Sequence, residues 1–357
     1  MIRQIKLTGD HYTMGLQHAQ QVGDLRTHIL AAMEHRLGLI AEIEIRTRPF
    51  LNELQTNWQE FAQPTLNMLK GMADGLDLSW DRFFTYTVAT YLMDHAKHIP
   101  ADDQGCTTWA TAGRITKSGL PILAKNRDYW PDHQELQCLA FARPESGYPY
   151  LYLTSAGSPG VFSSGMNQAG LVVADTHVVS LDIGPGLPRY AVMMDVLENH
   201  SSVETAIAYL QRISHSGNGN ILLLDASGDT AVFETGYKVF GIDHPKQGFI
   251  VSTNHYVTPP MKQRWLPRGP EEIHGNSLKR YEHVLQELQA HAGKIDLDWA
   301  MRLMSSHGDS LAAICRHPDT GPRSVTIAST IYLPRQKQLH LANGLPCQVP
   351  YQVYCLE

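Results

Sequence analysis

Val22, Leu25, Ile29, Met33, Leu37 and Ile40 recur at steps of three or four, which places them on one face of a long helix. Leu51, Leu54, Trp58 and Phe61 repeat that spacing in a second helix. A third follows Pro64, whose missing N–H is no loss in a first helical turn. Gly75 reads as its C-cap, and Ser79 as the N-cap of a further helix carrying Trp80, Phe83, Phe84 and Val88. The first hundred residues are thus mostly helical, and a polar, turn-rich stretch from His98 to Gly105 ends the pattern.

From Cys106 the period shortens to two. Residues 106–115 and 120–129 read as a β-hairpin turning at Lys117-Ser118-Gly119. Strands follow over 136–144 and 148–157, and 161–166 with 171–179 form another hairpin with Gly170 in its turn. Two helices come next. Ser201 and Glu204 suggest a capping box for the second, near 202–213. Strands return at 220–226, 230–236 and 249–256, helices at 276–291 and 297–305, and 325–333 with 338–344 close the chain as a hairpin. Helices at both ends of a large strand set fit sheets covered by helical layers.

Composition narrows the class. The chain has 357 residues, 43% hydrophobic and 18% charged, enough for a sizeable core and too apolar for bulk disorder. A net charge of −6 offers no electrostatic footprint for nucleic acid or anionic lipid. No apolar run approaches the roughly 20 residues of a membrane span, and the first residues lack the apolar core of a secretory leader. Five cysteines, Cys106, Cys138, Cys315, Cys347 and Cys355, are too few and odd in number for a disulfide framework. They point to a reducing, cytoplasmic setting. There is no CxxC, HExxH, GxGxxG, P-loop or EF-hand, so no cofactor is called for.

Gly105-Cys106-Thr107-Thr108 stands where helical patterning gives way to strand patterning. Glycine leaves the scissile carbonyl unshielded and its backbone free. Attack by the Cys106 thiol, followed by hydrolysis, frees an N-terminal cysteine that carries its own nucleophile and, in the α-amino group (reference pKa ~7.7–8.0), its own base. Taken alone, a buried cysteine opening a strand is the commoner reading. Asn126-Arg127-Asp128-Tyr129 ends the return strand of the same hairpin. Strands ~4.8 Å apart put the Asp128 carboxylate within reach of that amine, although a polar strand end is the simpler reading. Asn254, in Ser252-Thr253-Asn254-His255, is either a turn-capping amide or a donor to a developing oxyanion. Arg316 and Arg280 are candidates to hold a substrate carboxylate or buttress the aspartate, and Arg280 equally fits the outer face of a helix. Asp94, His95 and His98 cluster without a third ligand and read as a solvated helix end. His177, His215, His255, His307 and His317 are scattered, nothing in their spacing groups them, and no metal site is expected.

In their order these segments resemble the acyl-coenzyme A:6-aminopenicillanate acyltransferase family (peptidase family C45), a branch of the N-terminal nucleophile (Ntn) hydrolases. Tyr12 to His18, Gly71 to Leu76, Gly105-Cys106-Thr107-Thr108, Asn126-Arg127-Asp128, Gly165 to Leu171, Thr253-Asn254-His255 and Ile314-Cys315-Arg316 carry the resemblance. Arg127 stands where the family has an aromatic residue. The resemblance implies an α+β fold, a four-layer αββα sandwich of two antiparallel sheets preceded by a helical segment. It implies self-cleavage at Gly105–Cys106 into residues 1–105 and 106–357, which remain one compact domain. It carries nucleophile and base onto Cys106, the amine-orienting carboxylate onto Asp128, the oxyanion donor onto Asn254 and a supporting role onto Arg316. Arg280 resembles more loosely an arginine of the choloylglycine hydrolases.

The leading expectation is an amidohydrolase or acyltransferase that forms a Cys106 thioester with small N-acylated amines, amino acids or β-lactam-type amides. An acyl-thioester donor is a further candidate partner, and an isologous dimer the default assembly. Two rivals are a metal-dependent hydrolase using the histidines and a non-catalytic binding protein on an Ntn-like scaffold.

Overall fold

A computed structural model describes residues 2–98, 105–158, 160–267, 271–308, 312–318 and 324–356, with the backbone alone over 271–275. The polar stretch read between His98 and Gly105 lies outside the described residues. The first part of the chain runs β1 (Arg3–Gly9), α1 (His11–Gln21), α2 (Arg26–Gly38), α3 (Glu44–Phe61), α4 (Gln63–Gly75) and α5 (Trp80–Ala96). The strands β2 (Thr107–Thr111), β3 (Ile122–Tyr129), β4 (Gln137–Pro144), β5 (Tyr150–Ser155), β6 (Ser164–Asn167) and β7 (Val172–His177) follow. Helices α6 (Arg189–Asn199) and α7 (Val203–Leu210) precede β8 (Gly219–Leu224), β9 (Thr230–Thr235), β10 (Gly241–Asp243) and β11 (Phe249–Ser252). The chain continues through α8 (Pro259–Lys262), α9 (Glu271–Ala290), α10 (Leu297–Met304), β12 (Val325–Leu333), β13 (Gln338–Ala342) and β14 (Gln352–Cys355).

The strands form an eight-stranded sheet, β1-β4-β5-β6-β7-β8-β9-β10, and a six-stranded sheet, β11-β2-β3-β12-β13-β14. Strand alternation sorts their side chains into layers. Ala110, Leu123, Ala328 and Leu341 of the smaller sheet meet Leu139, Leu151, Leu153 and Leu222 of the larger between the two. Tyr150, Tyr152, Val173 and Phe233 point the other way, into a core shared with α1–α7. Trp109, Ala124 and Ile331 face Leu288, Trp299 and Leu303 of α9 and α10. The result is the expected α+β, αββα sandwich.

Several local features differ from the sequence reading. Strand β1 lies inside the segment read as helical and pairs parallel with β4, so the larger sheet is antiparallel except at that edge. The N-terminal helices do not merely precede the sandwich, because they share its outer apolar layer. The helix read from Val22 to Ile40 is α2, flanked by short 3-10 turns at Gly23–Leu25 and Ala41–Ile43. Phe61 is 63% exposed, one step beyond the buried stripe of α3. The left-handed residue after α4 is Asp77 rather than Gly75. Ser202, not Ser201, caps α7 by accepting from the Thr205 N–H. Strand β14 adds to the closing hairpin. The glycine segments near Gly15 and Gly71 mark where α1 crosses α4: a methyl on Gly71 would lie 2.0 Å from the Tyr12 carbonyl oxygen. Among the described residues, no helix is long and apolar enough to cross a membrane.

Candidate active site

Strands β2 and β3 pair with Thr107 opposite Asn126, so Gly105 and Cys106 leave the sheet beside Arg127 and Asp128. The Cys106 Sγ lies 3.7 Å from the Asp128 carbonyl oxygen. On its other side β3 pairs with β12, setting Thr326 opposite Asp128, and the Thr326 hydroxyl donates to Asp128 Oδ1 at 2.6 Å. Arg316 closes the same corner, with its N–H donating to the Thr326 hydroxyl at 2.9 Å. Gly105 fits only because it has no side chain: a methyl there would lie 1.8 Å from Arg316 Nη1 and 2.6 Å from Asp128 Oδ2. Glycine, nucleophile candidate, carboxylate and arginine therefore meet at one strand end.

Strand β11 flanks β2 with Ser252 opposite Thr108, which carries Asn254 past the same end. Arg280 on α9 joins the pieces. It is 0% exposed, so it is not a residue of an outer helix face. Its Nη1 donates to the Cys106 carbonyl and to the Thr107 hydroxyl, both at 2.8 Å. Its Nη2 donates to Asn254 Oδ1 at 2.8 Å and its Nε to Asn276 Oδ1 at 2.7 Å. The Asn254 amide group is thereby fixed, with Nδ2 donating to the His177 carbonyl at 2.8 Å.

Cys106 lines a pocket of ≈ 720 Å³, counted to its open mouth. Tyr91, Tyr129, Phe162 and Tyr190 supply aromatic walls, so the pocket has an aromatic lining even with Arg127 in the motif. Arg127 packs over the Tyr129 ring at 5.7 Å and donates to the Ser155 hydroxyl at 2.8 Å. Asp175 is held by Lys125 at 2.6 Å and by Arg189 at 3.2 Å. Burial pushes the Asp175 carboxyl up, but the two cations outweigh it and hold the group below the usual carboxylate range. Burial likewise pushes the Cys106 thiol up. Lys125 opposes that shift, Asp128 and Asp175 reinforce it, and the net direction is upward. The shift favours the protonated thiol over the thiolate.

Asn126 lies under the corner, donating to the carbonyls of Met304 and Ile314 at 2.8 and 2.9 Å. His255 is buried against Ser277 and Thr253, and burial lowers its pKa to about 4. Asp94 is not at a solvated helix end: it is 2% exposed and accepts from Asn218 at 2.7 Å, with His177 Nε2 at 2.9 Å. His95 stacks on Phe50. His307 and His317, ungrouped by spacing, converge in space with Cys315 and Cys347. Sequence reading missed Lys125, Asp175 and Arg189, and the only signal for them was an isolated lysine and aspartate inside apolar strands.

The model of the family described as acyl-coenzyme A:6-aminopenicillanic acid acyl-transferase matches residues 115–347. That span holds Asp128, Asn254, Arg280 and Arg316 and begins downstream of Cys106. No curated protein matches the chain. Among solved structures, a variant of a conjugated bile acid hydrolase from Clostridium perfringens is 14% identical, with 71% of this chain and 97% of that chain covered at a TM-score of 0.49. A penicillin V acylase from Agrobacterium tumefaciens is 20% identical, with 70% and 84% covered at a TM-score of 0.47.

Proposed function

The chain belongs to the acyl-coenzyme A:6-aminopenicillanic acid acyl-transferase family, and from that premise we propose that it is a self-processing amidohydrolase or acyltransferase whose nucleophile is Cys106. In maturation the Cys106 sulfur attacks the Gly105 carbonyl carbon, the acyl group moves from nitrogen to sulfur, and the α-amine is released. Water then cleaves the thioester, leaving a Gly105 carboxylate and a free N-terminal Cys106. The observation that carries this reading is the meeting of Gly105, Cys106 and the Asp128 carboxylate at one strand end.

In turnover the free α-amine takes the thiol proton as sulfur attacks the substrate carbonyl, and returns it to the leaving amine. Asp128 holds the amine, and the second hydrogen of Asn254 Nδ2 meets the oxyanion. Water or a second amine then resolves the thioester. Thr107 and Arg280 support the nucleophile strand, and Arg316 holds the Asp128 corner.

The pocket favours a substrate whose amine portion bears a carboxylate, such as an N-acyl amino acid or a β-lactam-type acid. Arg36 and Arg127 both line it, and among the described residues neither is ion-paired with a carboxylate. A guanidinium that makes no direct ion pair suits a planar carboxylate, although Asp175 also lines the pocket and acts on Arg127 from a distance. Alkylation mapped to Cys106, with parallel loss of turnover, tests the nucleophile. Comparing KM for an N-acyl amino acid and its carboxamide tests the pocket. Turnover that survives stoichiometric alkylation of Cys106 overturns the first assignment, and equal KM values overturn the second.

A further inference from the structure

We propose that His307, Cys315, His317 and Cys347 form a closed, structural metal site, with zinc the ion their donor set selects. This site is separate from the Cys106 chemistry and does not depend on it. His307 follows α10, Cys315 and His317 flank Arg316, and Cys347 lies between β13 and β14. The three chain segments each present a soft or borderline donor to one point, and all four ligand atoms lie within 4.8 Å of one another.

Four of the six donor–donor separations lie within about 0.4 Å of the edges of a zinc-centred tetrahedron, and the two from His307 to the cysteines lie within 4.8 Å. Zinc bonds of ~2.3 Å to sulfur and ~2.0–2.1 Å to nitrogen imply edges of roughly 3.8 Å between sulfurs, 3.6 Å between sulfur and nitrogen and 3.3 Å between nitrogens. The Cys315 and Cys347 sulfurs are 3.6 Å apart. His317 Nε2 lies 3.9 Å from Cys315 Sγ and 3.2 Å from Cys347 Sγ. The two histidine Nε2 atoms are 3.0 Å apart. A disulfide needs ~2.05 Å between sulfurs, so the thiols as placed are not bonded to each other.

Charge fits as well. Two thiolates neutralise a divalent cation, two neutral imidazoles complete the shell, and each bound ion displaces two thiol protons. Two cysteines with two histidines suit zinc over the hard cations, which prefer oxygen. Four protein ligands leave no open position for a reacting water, so the site is structural rather than hydrolytic.

Its place in the fold gives it a task. The N–H groups of Ile314 and Cys315 donate to the Ser306 carbonyl, and the Ile314 carbonyl accepts from Asn126. Cross-linking this segment to the end of α10 and to the β13–β14 connection fixes the backbone that carries Arg316.

The test is metal analysis of the full chain, expressed with zinc in the medium and purified under reducing conditions without a metal-affinity step. About one zinc per chain is expected, as a four-ligand site holds one ion. Cobalt titrated into chelator-treated protein should give thiolate charge-transfer bands and the visible bands of a tetrahedral ion. Both signals should vanish in Cys347→Ser, an exposed position whose replacement leaves the core intact, and persist in Cys355→Ser. Metal-depleted protein should melt several degrees lower. Substoichiometric zinc, a cobalt spectrum without thiolate bands, unchanged metal in Cys347→Ser, or recovery of a Cys315–Cys347 disulfide from the freshly purified protein overturns the proposal.

Discussion

The Arg280 guanidinium binds the Cys106 carbonyl through Nη1 and the Asn254 amide oxygen through Nη2, each at 2.8 Å. One buried cation thus sets the distance between the nucleophile strand and the proposed oxyanion donor. In the proposed mechanism Asn254→Ala removes a group whose contact with charge arises only in the transition state. It should lower kcat roughly 10²–10³-fold and leave KM nearly unchanged. Arg280→Lys keeps the charge but cannot span both partners. Each buried group left unsatisfied costs about 1–3 kcal/mol, so this variant should lose stability as well as rate. Steady-state kinetics with urea unfolding separates the two variants. An Asn254→Ala protein that unfolds, while its folded fraction turns over normally, would make Asn254 a structural turn residue.

Asp128→Asn keeps the shape and still offers Thr326 an acceptor in place of Oδ1. It deletes the charge proposed to favour the ammonium form of the α-amine that cleavage would release beside it. Without that charge the amine loses its proton more readily, so the acid limb of kcat/KM should move to lower pH while the maximum falls. A pH–rate profile that keeps its acid limb in place would remove Asp128 from the neighbourhood of the base.

The change of apolar period from 3.6 to 2 near Cys106 makes the division into a helical part and a strand-rich part legible, whereas the two-sheet sandwich follows from the family resemblance and α1 is not distinguished by spacing. Strand β1 is not legible in that way: Ile5 and Leu7 alternate with Gln4, Lys6 and Thr8, but the alternation spans only two apolar positions, and the strand pairs with β4, 135 residues away in the chain. Around the site, Gly105, Cys106, Asp128 and Asn254 stand out in the sequence only as a set, through the order of motifs in the resemblance, because each alone reads equally as an ordinary strand-end or turn residue. Arg280 looked like a surface residue because its partners come from β2 and the turn after β11. The Lys125–Asp175–Arg189 cluster and the four metal-donor residues are likewise assembled only by tertiary structure, and no spacing rule joins His307 to Cys347.

Buried histidines set the acid limit of stability. Burial lowers His18, His215 and His255 to about 4 and His133 to about 3, against 6.5 for the unfolded chain. Between those values the unfolded state binds more protons than the folded one, so stability falls as pH drops from 6.5 toward 4. Loss of Asp175 ionisation, below its usual range, adds to the decline at still lower pH. Thermal melts should be nearly flat above pH 7 and shift down steeply below 6.5. A melting temperature independent of pH between 6.5 and 4 would mean that these imidazoles are accessible in the native state.

If Cys106 acts with its own α-amine, that amine exists only after the Gly105–Cys106 bond is cut. Intact mass together with N-terminal sequencing of an active preparation tests this most directly. Two associated chains are expected, residues 1–105 and 106–357, with the second beginning at Cys106, and a single uncut 39.9 kDa species in Cys106→Ala. A fully active preparation that consists only of the uncut 39.9 kDa chain would contradict it.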